Sequence, residues 1–548
     1  DADPVSAERV APILASHCSA CHNEKDPERD LNLSTHMDTL RGSRTGPVVT
    51  PGKASASLLM QVLAPDANPH MPPEDQLTRE QISTIASWID GIDRRTLVGR
   101  RKISEADRQH WSFQRVARPS LPVVKHRSWP RTGIDRFVLA KLEAAHVEPS
   151  PPAEKEVLLR RLYFDLVGLP PSPEEVEAFL KADSEEAYQR VVDRLLASPR
   201  YGERWGRHWL DLARYADSGG FHNDIDRPFA WRYRDYVIQS LNADKPYARF
   251  IREQIAGDEL PHATLETWTA TGFCRNGVSN DDNMGKTALA RLKHRMDQMD
   301  DVISTTANVF LGLTIGCARC HDHKHDPILQ QDYYAFLAFF NSSQRQELLL
   351  KNFRPERPNL KPVKAKTGTK NPFVMVFTDH GQKPAATHLL WRGNVENKGP
   401  LVTALIPLVL RPVAASDASL TAHEDPTGAG SHRLQLANWI ASDDNPLTWR
   451  VMANRLWHYH FSRGLVTTPS NLGRLGDHPT HPNLLDWLAC ELRDNGGRLK
   501  AMHRLIVTSA VYRQSSQATA RGSAVDPHNR LWWRMDKRRL EAEPLRDA

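Results

Sequence analysis

Two short cysteine–histidine runs, Cys18-Ser-Ala-Cys21-His22 and Cys317-Ala-Arg-Cys320-His321, constrain this chain more than any other feature. Each sets two thiols three positions apart and puts an imidazole directly after the second. Covalent attachment of a c-type haem needs that spacing: the thiols add to the vinyl groups and the histidine becomes the proximal iron ligand. With 6 Cys and 24 His in 548 residues, chance would supply about 0.003 such runs. A zinc site built from the two cysteine pairs is disfavoured, because the pairs lie far apart and each carries its own adjacent histidine. The runs therefore predict two covalently bound haem c groups, iron as the metal, and redox chemistry.

The length exceeds what a single core supports, so about three or four domains are expected. The charge balance of 72 basic against 66 acidic residues gives only +6, and haem propionates would reduce it further. A nucleic-acid partner needs a concentrated basic stripe, so none is expected. No apolar run reaches bilayer length, and no transmembrane segment is expected. The chain opens at Asp1-Ala-Asp-Pro4 without a basic and apolar leader. That reads as a signal peptide already removed, and covalent haem places the protein in the periplasm or secreted. Cys274 and Cys490 remain outside the motifs, either paired in an oxidising compartment or buried as free thiols. The run Glu541–Ala548 reads as a helix cut short, and the C-terminal domain is expected to continue further.

The expected fold is mainly α. An N-terminal mono-haem cytochrome c domain (1–95) is followed by a basic, proline-containing linker (96–132) and a helical domain carrying the second motif (133–345). A loop and β-rich insertion (346–430) then leads to a C-terminal helical domain (431–548). In the first domain, Val10, Ile13 and Leu14 give helical spacing up to the first motif. Thr78 and Gln81 form a capping box ahead of the apolar stripe Ile82, Ile85, Ala86 and Ile89. Met71, followed by Pro72 and Pro73, is the expected sixth ligand, since thioether sulfur suits ferrous iron and prolines hold the backbone extended. His70 is the alternative.

Downstream, helices are expected over 134–145, 154–166, 172–180, 187–196 and 201–216. After a polar loop at 217–232 and the second motif, short strands are read at 373–378, 387–391 and 402–410. Further helices follow over 434–441, 447–461, 484–493 and 499–512.

The first module resembles the planctomycetal-type cytochrome c domain through Ser16–His22, Gly46-Pro47 and Met71-Pro72-Pro73. Residues 133–345 resemble the uncharacterised domain that usually follows it, through Phe164–Pro171, Tyr201–Trp205, Trp209–Asp217 and Gly316–Lys324. The last segment resembles the usual C-terminal companion through Asn454–Trp457, Pro479–Pro482 and Leu505–Ala510. The resemblance implies export and redox chemistry, and names no reaction.

No Met-Pro-Pro follows the second motif, so its iron's sixth position is unassigned: a distal histidine, a methionine or an open site. His208, on an otherwise apolar helical face, is the candidate distal ligand, with His460 and His503 behind it. His323 and His325, next to Asp322 and Asp326, are candidates for supporting the proximal histidine, a propionate or proton relay at the haem edge. They could equally be a solvated loop. Candidate acid/base residues are His222, Asp224, Asp226 and Arg227 in the polar loop. The expected function is an exported di-haem oxidoreductase. Its second haem would face a polar organic, carbohydrate-like substrate, and the His22/Met71 haem would relay electrons to a partner protein or small carrier. A non-enzymatic electron-transfer protein and a di-haem peroxidase are the alternatives.

Overall fold

The computed structural model describes residues 7–23, 28, 31–43, 47–92, 103–182, 184–221, 224–278, 287–350, 373–379, 385–411 and 432–548. The chain divides into two compact units, Asp1–Lys102 and Ile103–Ala548.

In the first unit the helices Ala7–His17 and Arg79–Gly91 pack on each other. The second starts at the expected capping box: the Gln81 amide donates to Thr78 Oγ1 at 3.2 Å, and the Thr78 amide donates to Gln81 Oε1 at 2.8 Å. Two backbone donors that the first helical turn cannot use are thereby satisfied. Ile85 and Ile89 from its stripe are fully buried with Val10, Leu14, Leu33, Leu59 and Leu63. Short helices His36–Arg41 and Leu58–Val62 lie between the two in sequence.

The larger unit is mainly helical around one hydrophobic core that runs from Phe113 to Met535. The domains expected at 133–345 and 431–548 both contribute to it. Phe137 sets its ring 5.8 Å from Trp487, and the Tyr188 hydroxyl donates to the Val507 carbonyl at 2.7 Å. Residues 103–132, expected as linker, also pack here. Phe113 and Val116 enter the core, and Arg450 Nη1 takes the Gln114 carbonyl at 2.6 Å. Carbonyls outside helices and sheets need other donors once buried, and Arg450 also reaches Ser112 O at 3.4 Å.

Helices Gly133–Ala144, Lys155–Leu166, Pro173–Lys181, Glu185–Ala197 and Pro199–Leu212 fall close to where the apolar periodicity puts them. The helix expected over 499–512 is two, Leu499–Val507 and Ala510–Arg513. Ser509 interrupts it by accepting the Tyr512 amide at 3.2 Å as an N-cap.

Among the described residues the β-strands form two antiparallel pairs. β1 (Ser343–Leu349) pairs with β2 (Phe373–Asp379), Ser343 opposite Asp379. β3 (Thr387–Leu390) pairs with β4 (Lys398–Val402). The strand expected at 402–410 does not form: β4 ends at Val402, and Leu408–Leu410 is a 3-10 turn. Pro407 has no N–H to give, and the buried Asp332 carboxylate captures the Leu408 amide at 3.0 Å. No helix among the described residues is long and apolar enough to cross a membrane.

Candidate haem-attachment sites

The first motif continues the Ala7–His17 helix by one irregular turn. The Cys18 amide donates to Leu14 O and the His22 amide to Cys18 O, both at 2.9 Å. Cys21 is exposed, while burial pushes the Cys18 thiol up to about 11. His17 ties this turn to the far loop. Its Nδ1 lies 3.1 Å from the Asp75 carbonyl, which can only accept, so Nδ1 carries the proton and Nε2 accepts from Gln81 at 3.3 Å. Met71 opens that loop, half-buried like His70, with its amide bonded to Val62 O at 2.8 Å. The His22 imidazole has a buried Nδ1 without a hydrogen-bond partner. Two thiols, an imidazole short of a partner and a thioether on a tethered loop form a donor set that fits a His/Met haem.

The second motif is approached through the long helix Ala288–Thr306, which runs into one π-helical turn, Ala307–Leu311. The fully buried Arg455 guanidinium holds the carbonyls of that turn, bonding Val309 O and, at 2.9 Å, Asn308 O. Gly312 ends the turn at φ +58°, a left-handed conformation that a side chain would resist. Cys317 lies in the 3-10 turn Gly316–Arg319, with Cys320 and His321 directly after it, and all three are exposed.

The turn is firmly held from below. The Arg319 carbonyl accepts from the Tyr334 hydroxyl at 2.9 Å and from Gln330 Nε2 at 3.0 Å, and Asp322 Oδ1 accepts the Gln330 amide at 2.7 Å. His321 Nδ1 is 2.7 Å from the Asp322 carbonyl. A carbonyl can only accept, so the proton sits on Nδ1 and the Nε2 lone pair is left for a metal. Proximal haem histidines need this tautomer, and the site fits the group.

The next histidine braces the loop. His323 is buried, and its Nδ1 accepts the Asp326 amide at 2.8 Å, so its proton is on Nε2. Asp326 in turn accepts the Arg474 amide at 2.6 Å. His325 is half-buried, its amide 3.4 Å from the His323 ring.

A cleft of about 540 Å3 adjoins this motif. Asp297, Asp300, Asp301, Ser304 and Thr305, one face of the Ala288–Thr306 helix, form a wall of it opposite Asp211 and Arg214. Arg319, inside the motif, reaches Asp297 at 2.8 Å and Asp300 at 3.9 Å. The Tyr333 hydroxyl donates to Asp300 at 2.5 Å, and burial raises that carboxyl above its ordinary value. Arg214 pairs with Asp301 at 2.8 Å and has a left-handed backbone, φ +56°. The sequence did carry a signal for this cleft, acidic residues recurring at helical spacing just before the motif, but it reads like any solvated helix face.

The remaining candidates have partners of their own. His208 is buried, stacked at 3.9 Å on Tyr459 and edge-on to Trp205 at 5.3 Å. His460 Nε2 and His503 Nδ1 bond at 2.9 Å, and His460 Nδ1 stands 3.6 Å from Asp165. All three histidines are held neutral by burial, His460 down to about 3. In the polar loop, Asp224 and Asp226 are exposed. Asp224 accepts the Gly220 amide at 2.9 Å, and Arg227 is committed to the carbonyls of Asn276 (2.9 Å) and Gly277 (2.7 Å). His222 lies outside the described residues. Cys274 and Cys490 are both buried free thiols.

The first unit, with its thiol pair, histidine and tethered thioether, defines a haem-binding cytochrome of c type, and the larger unit carries a second motif of the same spacing. Residues 18–75 match the family described as Planctomycete cytochrome C. Residues 133–345 match a family of proteins of unknown function, DUF1549, and residues 432–548 match another, DUF1553. The chain thus carries the arrangement its motifs resemble, a planctomycete cytochrome c domain followed by these two regions. Neither a curated protein nor a solved structure matches it.

Proposed function

We propose that the chain is an exported di-haem c-type cytochrome oxidoreductase. Cys317, Cys320 and His321 would hold a second haem at the substrate-facing centre, and Cys18, Cys21, His22 and Met71 would hold one able to relay electrons to or from a partner protein or small carrier. The observation that carries this reading is the His321 tautomer: Nδ1–H is spent on the Asp322 carbonyl, and both thiols stand exposed in the same turn. Bound haem supplies one-electron redox chemistry.

The chain's own residues do the rest. Asp322, fixed through Gln330, orients the imidazole, and Tyr334 and Gln330 hold the turn rigid. The adjoining cleft favours catalysis over simple transfer. Its carboxylates accept hydrogen bonds from a polar organic, hydroxyl-bearing molecule, and Arg214 balances their charge. Asp300, with its raised pKa, is suited to accept a proton released on oxidation.

Carbon monoxide binding to the dithionite-reduced protein tests this. Uptake at one of two haems is expected, since an open iron accompanies a substrate-facing centre. No uptake with two haems present would contradict catalysis at the iron and leave an electron-transfer protein. Uptake together with turnover of peroxide would replace the organic substrate by a peroxidase reaction.

A further inference from the structure

We infer that the β3–β4 hairpin forms a wall of the second haem site, and that position 393 is glycine because the thioether at Cys320 needs the space. The inference rests on the proposal that haem is attached there. The hairpin lies between residues 345 and 432, outside all three matched segments. Nothing in the likeness to those families accounts for it.

Gly393 lies just after β3, beyond Trp391 and Arg392. Its φ is +70°, and a Cβ built on it would stand 2.9 Å from Cys320 Sγ and 3.4 Å from Arg319 Cγ. Real Cβ atoms do not approach sulfur so closely, so any other residue would push the thiol or the hairpin aside. The proximity is enforced. Gln330 Nε2 donates both to the Arg319 carbonyl at 3.0 Å and to the Leu390 carbonyl of β3 at 2.9 Å, so one side chain clamps the motif to the hairpin. The hairpin end closes on itself through Trp391 N to Asn397 O and Asn394 N to Trp391 O, both 3.0 Å.

Attachment adds the Cys320 S–H across a vinyl double bond. Sulfur bonds to the inner vinyl carbon, the outer carbon takes the hydrogen, and the double bond becomes single with no external oxidant. The new carbon and its methyl need volume beside the sulfur. The missing side chain at 393 leaves it, while the hairpin backbone stays close enough to bound the porphyrin edge.

The test is mass spectrometry of intact wild type and Gly393→Ala, both exported through a haem-attachment system, with the haem peptides identified after digestion. The inference expects two haems on wild type and one on the variant, retained at Cys18–His22. Two haems on both would overturn the inference alone. A single haem on wild type would contradict the underlying proposal and this inference with it.

Should the variant fail to accumulate, thermal unfolding of haem-free protein decides. Gly393→Ala should cost markedly less on a Cys320→Ala background, where the clashing sulfur is gone, because the backbone strain is common to both and cancels. Equal costs on the two backgrounds would overturn the inference.

Discussion

A histidine's role here is decided by what its Nδ1 touches. At His321 a carbonyl takes the Nδ1 proton, and at His323 a backbone N–H occupies Nδ1. One ring thereby keeps its Nε2 lone pair for a metal, as the motif's spacing had marked it, while its neighbour's Nδ1 is spent inside the loop, a bond that the run His-Asp-His-Lys-His does not disclose. His460, His503 and His208 are different again, buried and uncharged. Their folded-state values lie below the ordinary 6.5, so below 6.5 the unfolded chain binds protons that the folded chain refuses. Their stabilising effect is present above 6.5 and lost as pH falls towards 3 for His460. The Asp165 charge beside His460 does not cancel this, because Arg538 and the Tyr512 hydroxyl already engage that carboxylate. Urea midpoints of the larger unit should therefore fall between pH 6.5 and about 5, before most carboxylates titrate. A flat profile there would contradict neutral burial. The same packing predicts that His208→Ala leaves the second haem's spectrum unchanged while costing about 2–4 kcal/mol of stability through the cavity beside Tyr459 and Trp205. A changed spectrum would restore His208 as distal ligand.

Elements with local signals were legible. The capping box at Thr78 and Gln81 and the stripe from Ile82 to Ile89 could be read directly, because both depend on neighbours within one or two turns. Thr78→Ala should cost the small unit about 1 kcal/mol in thermal unfolding, and no loss would mean the cap is not engaged. The elements that build the second site were not legible. Its π-helical turn depends on Arg455, and its loop on Gln330 and Tyr334. The missing strand at 402–410 depends on Asp332 taking the Leu408 amide. These partners are distant in sequence or buried, and periodicity carries no trace of such bonds. Arg227 makes the same point from the other side, for a residue singled out for acid/base chemistry holds the carbonyls of residues 276 and 277.

At the scale of the molecule, the sequence divided the chain more finely than its packing does. The boundaries at 132, 345 and 431 coincide with the ends of the matched segments, while Phe113, Tyr188, Trp487 and Trp533, from different segments, share one core. The two units, 1–102 and 103–548, each carry one attachment motif. That division suits a small cytochrome domain joined to a large body whose own motif stands at the surface beside a polar cleft. On the proposed function this second motif is a haem site as real as the first. This is tested most directly by digesting the exported protein and identifying every peptide that carries covalent haem. Two such peptides are expected, one spanning Cys18–His22 and one spanning Cys317–His321. Haem on the first alone, with Cys317 and Cys320 recovered as free thiols, would contradict it.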